Sequence, residues 1–509
     1  MRLVRSVPAA LAALVLFSTP SLAQRSRAKQ TPDPTAAIDS VVQAYMAEWK
    51  VPGVGLGIIR NGRVYLQKGY GYRDVAAQLP ITPRTLLAIG SNTKSFTVVL
   101  MGLLADQGKL AWDTPVKTYL PGFRMFDPYA TEKLTPRDLV NHRSGLPRHD
   151  LLWYGRNFSR AELVARLQYL EPTHSLREVW QYQNLMFAAA GHLTETLTGR
   201  SWDDQIRDAI FKPLGMTRSL PQATGHDADP DHATPYELKN GRPEPVPVRF
   251  LEAAGPAGSI HSTVEDMLKY VAFRMSGGNG TAPLKLSARA EREMQSPQMV
   301  VPGEGYWPGF DLVSYGLGLV VASYRGHRAV LHGGSIDGFI SQMAWLPDDS
   351  IGVVVLSNRG STNPIPTMIV QAVADRLLGL PPLDHAARQR KADSVEARQA
   401  DSTKAALVAG RKAGTTPSHP LADYVGRYTH PGYGTVVVRQ GAAGLEIALD
   451  RIGGALTHYH YDTFESTDAT SLVPFTGLVT FQSNAKGGVD RVLVPVETAL
   501  PPVVFVREP

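Results

Sequence analysis

The chain has no cysteine among its 509 residues. This absence excludes disulfides, thiolate metal sites and a catalytic cysteine, and it removes the cysteine that lipid attachment after a signal peptide needs. A chain of this length can bury a core large enough to stabilise it without such links. The fold must therefore depend on its packing alone.

Long hydrophobic runs and strong net charge are lacking as well. The apolar stretch at residues 9–17 is too short to span a bilayer. Arg2 and Arg5 precede it and Ser21-Leu22-Ala23 follows it, so residues 1–23 are predicted to be a cleaved signal peptide. The formal charge of +6 is small for this length and predicts no nucleic-acid surface. We expect a periplasmic or secreted protein with no stable membrane anchor after cleavage.

Cofactor and metal motifs are missing too, since no HExxH, Walker or Rossmann string occurs. His458 and His460 form a His-x-His pair that would share one strand face with Asp462. No further histidine or carboxylate cluster stands beside them, so we interpret both as structural. The expectation is that no cofactor and no metal takes part.

The pattern Ser-x-x-Lys is present three times, and its context differs each time. Ser26/Lys29 lies in the polar lead, and Ser483/Lys486 lies in a turn between two predicted strands. Ser91/Lys94 instead opens an apolar run, 96–104, that predicts a buried helix. One helical turn puts both side chains on the same face, where a desolvated lysine can take the serine proton. Alone, the pair fits better with an N-cap serine and an exposed lysine.

Two further strings favour the catalytic interpretation of Ser91 and Lys94. Tyr182-Gln183-Asn184 follows after 91 residues and is the only Tyr-x-Asn string among the 19 tyrosines. His332-Gly333-Gly334-Ser335 follows after another 150 residues. In this order and spacing the three strings resemble the motifs of the β-lactamase-related serine hydrolases. That group comprises class C β-lactamases, D-alanyl-D-alanine carboxypeptidases, family VIII esterases and peptidase family S12.

The resemblance covers roughly residues 35–380, and it includes the stretches 134–147, 255–263 and 315–318. It implies an α+β fold with an antiparallel sheet flanked by helices and an all-helical subdomain, a β-lactamase/transpeptidase-like architecture. Sequence patterns agree, because predicted strands stand at both ends of a mostly helical segment. The nucleophile would lie where the two parts meet.

The resemblance also implies a role for each motif residue. Ser91 would be the nucleophile, with Lys94 and Tyr182 as the catalytic groups that move its proton. The residues that would bind substrate are Asn184, His332, Gly334 and Ser335. The backbone N–H groups of Ser91 and Ser335 would form the oxyanion hole.

His332 departs from the lactamase pattern, which has lysine there, and Gly333 replaces the usual hydroxyl residue. A neutral imidazole binds a substrate carboxylate less firmly than an ammonium does. This departure favours a peptidase or esterase over a dedicated β-lactamase. Simpler alternatives remain, in which His332 is a strand histidine without a role and Tyr182 is a core tyrosine.

The C-terminal part has a different character. Residues 381–420 have few apolar anchors and are predicted to be a solvated helical or loose linker. Residues 421–509 alternate about six or more short strands, one of them at 456–464, with turns, which predicts a small antiparallel barrel or sandwich. They resemble the lipocalin-like tail domain of some β-lactamase-related hydrolases, through the strings at 424–428, 432–434 and 458–462.

The predicted function is an exported serine hydrolase that acts through an acyl-enzyme on D-amino-acid peptides, small esters or amides. β-Lactam hydrolysis would be a side activity. Two alternatives stay open: a non-catalytic binding protein for peptidoglycan fragments, and a scaffold that forms homo-oligomers through the tail domain. Loops near 153–158 and 303–310 are expected to shape the cleft for a peptide or other small substrate.

Overall fold

The computed structural model describes residues 34–280, 283–302, 309–361, 363–442, 444–467 and 476–509. The predicted signal peptide at 1–23, and the part of the predicted cleft loop at 303–308, lie outside these described residues. No helix within the described ranges is both long and apolar enough to cross a membrane.

A nine-stranded antiparallel sheet organises the first domain. The early strand Gly53–Arg60 pairs with the late strand Ile351–Ser357, so the returning chain completes the sheet as the sequence pattern predicts. From one edge to the other the strands are Leu79–Pro80, Arg63–Asp74, Gly53–Arg60, Ile351–Ser357, Phe339–Leu346, His327–Ile336, Val320–Tyr324, Asp311–Tyr315 and Met299–Val300.

The strand Gly53–Arg60 shows how sequence determines the layers. Val54 and Leu56 point into a core that the sheet shares with helices Pro34–Glu48 and Ile365–Leu377. The alternating positions on the other face are glycines, and a Cβ on Gly55 would lie 2.6 Å from Cγ2 of Val264. Small residues on that face therefore let a second helical layer pack directly on the sheet.

The second layer and the helical subdomain come from the segment between the early and late strands. Two short ribbons, Leu87–Ala88 with His261–Ser262 and Tyr236–Lys239 with Arg242–Pro245, connect parts of it. Its helices are Thr93–Asp106, Val116–Tyr119, Pro128–Lys133, Pro136–Leu139, Arg160–Ala165, Asn184–Thr198, Trp202–Ile206, Lys212–Leu214, Gly255–Gly258, Val264–Met275 and Ala288–Met294. Tighter 3₁₀ turns lie at Gly90–Asn92, Asp150–Leu152 and Arg166–Tyr169, and a π-turn lies at Arg207–Phe211. The predicted α+β architecture is confirmed.

The segment after the first domain is a helix, His385–Gly410, which is one of the two alternatives that the sequence left open. Only His385 of its residues is buried, and it contacts Asp375 at 2.9 Å. Trp49 donates its indole N–H to Asp393 at 3.2 Å. These contacts tie the beginning of this polar helix to the first domain.

The C-terminal domain is a closed eight-stranded barrel, as predicted in outline. Sequence reasoning took 456–464 as one strand, whereas Tyr461 adopts φ 45° and reverses the chain there. A left-handed tyrosine is uncommon, so the composition gave no sign of this turn. The strands are Gly426–His430, Gly434–Gly441, Gly444–Leu449, Ile452–His460, Thr463–Thr467, Gly477–Ser483, Val489–Val494 and Val503–Arg507.

The barrel packs against the helical subdomain. Arg166 donates to the carbonyl oxygens of Pro431 and Gly432 at 3.1 and 2.9 Å. Arg156 forms an ion pair with Asp450 at 3.1 Å. The two domains therefore meet along the segment that carries Arg156 and Arg166, close to the cavity described next.

Candidate active site

The 3₁₀ turn Gly90–Asn92 runs into the helix Thr93–Asp106 and presents Ser91 beside a cavity. Lys94 lies one helical turn later and is fully buried. The spacing of the two residues thus has the consequence that the sequence predicts, with both side chains on one face. Ser91 remains partly accessible, as a nucleophile must be.

Three oxygen atoms surround the side-chain nitrogen of Lys94. Ser91 Oγ is 3.0 Å away, Asn184 Oδ1 is 2.8 Å away, and the carbonyl oxygen of Ala257 is 2.7 Å away. Burial lowers the pKa of Lys94 well below its usual value, and the positive charge of Arg148 lowers it further, partly opposed by Asp150. The site therefore favours the neutral amine.

A neutral amine has two hydrogens and one lone pair. The Ala257 carbonyl and the Asn184 amide oxygen can only accept, so they take both hydrogens. In that neutral state the lone pair of Lys94 is left for the Ser91 hydroxyl 3.0 Å away, which would donate to it. This arrangement is that of a base poised on a nucleophile.

Tyr182 lies where an extended segment enters the helix Asn184–Thr198. Gln183 caps that helix, because its Oε1 accepts the Leu185 N–H at 2.7 Å. The Tyr182 ring centroid lies 4.8 Å from Lys94 Nζ and 4.2 Å from the centroid of the His142 ring. Tyr182 is therefore beside Lys94, with part of its surface accessible.

His142 supports the point at which the extended segment with Tyr182 enters the helix. It is fully buried, and burial lowers its pKa well below the usual value, which keeps the ring neutral. Its Nδ1 accepts the backbone N–H of Gln183 at 3.0 Å. His142, which belongs to the stretch 134–147 covered by the family resemblance, thus has a structural role, since its ring supports the backbone next to Tyr182.

Glycines bring the turn that carries Ser91 into direct contact with the strand His327–Ile336. A Cβ on Gly334 would lie 1.9 Å from the Ile89 carbonyl oxygen. A Cβ on Gly90, which has φ 49°, would lie 2.7 Å from the Ser335 nitrogen. The Ser335 amide is therefore next to the turn that carries Ser91.

Ser341 on the neighbouring strand fastens the same turn to the sheet. Its hydroxyl donates to the Ile89 carbonyl at 2.8 Å and accepts from Asn92 Nδ2 at 2.7 Å. Both contacts are buried and span about 250 residues of sequence. Sequence reasoning missed Ser341, because no pattern around it differs from that of an ordinary strand.

The His332 side chain is buried, whereas a side chain that binds substrate would be exposed. Only 1% of its surface is accessible, and burial lowers its pKa to about 3. Its Nδ1–H donates to the Gly333 carbonyl at 2.6 Å, which leaves Nε2 to accept the Tyr315 hydroxyl at 2.8 Å. The ring is neutral with both nitrogens engaged, so it brings no positive charge to the site.

The cavity beside Ser91 has a volume of about 190 Å³. Of the residues predicted from sequence, Ser91, Asn184 and Ser335 line it, and so do Trp153 and Tyr154 of the predicted cleft loop 153–158. Arg148, Asp150, Glu237, Leu251 and Asp337 also line it, and sequence reasoning did not identify them. Arg148 and Asp150 directly follow the matched stretch 134–147, and that adjacency was the signal available for finding them.

Two carboxyl groups in the cavity are less acidic than usual. Burial raises the pKa of Glu237 and of Asp337. Asp337 accepts the Tyr154 hydroxyl at 2.6 Å and the Arg249 backbone N–H at 2.9 Å. Both carboxyl groups therefore keep their protons to a higher pH than an exposed carboxyl would.

Within the described ranges, no group of three or more histidine, aspartate or glutamate side chains is placed to hold a metal ion. His458 and His460 stand on either side of an irregularity in strand pairing. His458 Nε2 contacts the Tyr461 carbonyl at 2.9 Å, and a carbonyl partner is the kind of contact that a structural histidine makes.

The geometry agrees with similarities to known proteins. The sequence profile of the Beta-lactamase family matches residues 38–378, and a profile described as a domain of unknown function (DUF3471) matches residues 410–503. Unguisins hydrolase ungD' of Aspergillus campestris is 30% identical over 413 residues, covering 77% of this chain and 75% of that protein. Protein flp of Staphylococcus aureus is 26% identical over 335 residues, covering 65% and 64%.

Solved structures extend the similarity to both domains. The octameric penicillin-binding protein homologue from Pyrococcus abyssi superposes with a TM-score of 0.63 at 26% identity, over 90% of this chain and 98% of that one. A class C β-lactamase from Rhodobacter sphaeroides superposes with a TM-score of 0.55 at 23% identity, over 67% and 99%. The second likeness is one of fold.

Proposed function

Because the chain belongs to the β-lactamase family of serine hydrolases, as its motifs predicted, we propose that it cleaves amide or ester bonds through an acyl-enzyme on Ser91. The arrangement around Lys94 carries this proposal. Its two hydrogens are committed to Asn184 and Ala257, so its lone pair faces the Ser91 hydroxyl. A serine hydroxyl becomes an effective nucleophile only beside such a base.

In the proposed reaction, Ser91 Oγ forms a bond to the substrate carbonyl carbon while its proton passes to Lys94. The backbone N–H groups of Ser91 and Ser335 stabilise the resulting oxyanion, a contribution of about 3 to 4 kcal/mol for each donor. The bond to the leaving group then breaks, and Lys94 returns the proton to that group through Tyr182. Water activated by Tyr182 and Lys94 cleaves the acyl-enzyme by the reverse sequence.

The substrates we propose are D-amino-acid peptides, amides and small esters, with β-lactams as poorer substrates. The neutral, buried His332 supports the amides and esters that carry no carboxylate, because it cannot supply the positive charge that a lysine offers a substrate carboxylate. One relative is named for hydrolysing unguisins. A panel of a D-Ala-D-Ala peptide, a D-amino-acid amide, a p-nitrophenyl ester, nitrocefin and an unguisin ranks these classes by kcat/KM.

A serine-directed fluorophosphonate tests the acyl-enzyme directly. We expect it to label the wild-type protein at Ser91 and to leave Ser91→Ala unlabelled. Ser483→Ala is the matched control, because it removes the serine of another Ser-x-x-Lys string, on the barrel. Failure to label the folded wild type, or equal labelling of Ser91→Ala, would refute the proposal and favour the non-catalytic alternative.

We also propose export, based on the composition of residues 1–23. Expression with the full N-terminus in a bacterium, followed by mass spectrometry of the periplasmic fraction, should give a protein that begins at Gln24. Retention of Met1 in a cytoplasmic protein would contradict it.

Self-association is a further part of this proposal. A structural neighbour that covers both domains is described as octameric. Light scattering of the uncleaved 509-residue chain during size-exclusion chromatography should therefore give a mass of at least twice 55.3 kDa. A monomeric mass over a wide concentration range would contradict it.

A further inference from the structure

Three consecutive residues link the active-site cavity to the barrel. Arg148 and Asp150 line the cavity, whereas His149 between them is buried against the C-terminal domain. His149 has φ 49° and ψ 40°, a left-handed conformation that its Cβ disfavours. Such a conformation persists only where surrounding contacts hold it.

The barrel supplies those contacts. The Tyr433 hydroxyl lies 2.6 Å from His149 Nδ1, and Glu497 Oε2 accepts the His149 backbone N–H at 2.5 Å. Both partners belong to the C-terminal domain, 284 and 348 residues further along the chain. Only 1% of the His149 surface is accessible, so water does not compete for these bonds.

On the cavity side, Asp150 determines how Asn184 is oriented. Asp150 Oδ1 accepts Asn184 Nδ2 at 3.2 Å and the Trp153 indole N–H at 2.8 Å, and its Oδ2 accepts Arg148 Nε at 2.6 Å. A carboxylate accepts only, so the amide nitrogen of Asn184 must face it. The amide oxygen then faces Lys94, which is the orientation that occupies one of the lysine hydrogens.

Arg148 contributes from the same turn. Its guanidinium carbon lies 5.1 Å from the centroid of the Tyr182 ring. A guanidinium at this distance from a tyrosine ring interacts favourably with it and with any negative charge that develops on its oxygen. The position of Arg148 depends on the same backbone that His149 anchors.

We propose that the barrel is a working part of the active site, in which Tyr433 and Glu497 are positioning residues. They hold His149, and through its neighbours they place Asp150 against Asn184 and Arg148 against Tyr182. This inference rests on the proposed function of Ser91 and Lys94. It assigns the C-terminal domain a direct effect on acylation rather than a role in assembly alone.

The test combines Tyr433→Phe with Glu497→Ala in the full-length protein. The Arg156–Asp450 pair and the Arg166 bonds remain, so the barrel should stay docked. We expect the fluorophosphonate acylation rate constant to fall at least 10-fold at saturating probe, with little change in probe affinity. Glu497→Gln in place of Glu497→Ala keeps an acceptor for the His149 N–H, and it should restore most of the acylation rate constant. Tyr459→Phe is the matched control, because its hydroxyl contacts the Leu407 carbonyl instead.

Hydrogen exchange supplies a readout that does not need activity. Amides of residues 146–153 should exchange at least 10-fold faster in the double variant than in wild type and Tyr459→Phe. Wild-type exchange and wild-type acylation in a folded double variant would overturn the inference and leave the role of Ser91 intact. Unlabelled wild-type protein would instead overturn the proposed function, while the exchange result would still decide whether the barrel holds this turn.

Discussion

The side-chain nitrogen of Lys94 lies 3.0 Å from the Ser91 hydroxyl oxygen, and it is fully buried while Ser91 faces a cavity. Desolvation makes the ammonium form costly, and the charge of Asp150 only partly offsets that cost. The burial that suits Lys94 to the proposed role of a base therefore also reduces the stability of the folded protein. The first two predictions separate these effects.

Replacement of Lys94 by methionine should remove the proposed base while it preserves the volume of the side chain. We expect acylation by a fluorophosphonate to fall by about 10² to 10⁴-fold. The melting temperature should stay the same or rise, since an apolar chain suits a dry site. Lys486→Met, at another Ser-x-x-Lys string, should leave both quantities unchanged. A similar loss of activity in both variants would contradict the role of Lys94.

The stability of wild type relative to Lys94→Met should depend on pH. The folded pKa of Lys94 is lowered by burial, whereas in the unfolded chain it is about 10.4. Between these two values the unfolded state binds the additional proton, so raising the pH stabilises wild type, by up to about 1.4 kcal/mol per unit. Urea unfolding of both proteins from pH 6 to 10.5 measures the difference. A difference that stays constant over this range would show that the pKa is not lowered.

Asn184→Asp should place one carboxylate oxygen 2.8 Å from the lysine nitrogen, while its other oxygen replaces the amide that donates to Asp150. An opposite charge at this distance raises a lysine pKa, by about 1 to 3 units. The rise of the acylation rate with pH should therefore move to higher pH, and the rate at pH 7 should fall about 10-fold or more. Asn61→Asp changes the same groups in an exposed turn and should leave the pH profile unaltered. An unmoved profile in Asn184→Asp would contradict the proposed charge state of Lys94.

Gly90→Ala should damage the oxyanion hole. The new Cβ would lie 2.7 Å from the Ser335 nitrogen, and Gly90 also has positive φ. Gly62 has φ 73° with nothing within 4 Å of a Cβ, so Gly62→Ala measures the backbone cost alone, about 1 to 2 kcal/mol. We expect Gly90→Ala to lose more stability than this control and to lose acylation as well. Equal unfolding free energies and full activity in both variants would refute the close approach.

Local patterns in the sequence were sufficient for most of the first domain. Strands such as Gly53–Arg60 and the helix Thr93–Asp106 follow from side-chain periodicity, and the pairing of early with late strands follows from their order. The eight strands of the barrel agree with the six or more that were predicted, but the predicted strand at 456–464 is divided into two. The reversal at Tyr461 depends on a left-handed backbone that only the surrounding fold imposes.

By itself, the sequence determined the chemical groups and their local spacing. Ser91 and Lys94 share a face because a helix turns every 3.6 residues or so, and Tyr182-Gln183-Asn184 is identifiable because it is the only Tyr-x-Asn string in the sequence. Tertiary structure alone decided what surrounds Lys94. The Ala257 carbonyl, 163 residues away, has no side-chain signature, and the Tyr433 and Glu497 contacts depend on where a second domain docks. Spacing acts within one element, whereas the protonation of a buried amine depends on every group that packing brings within hydrogen-bond distance of it.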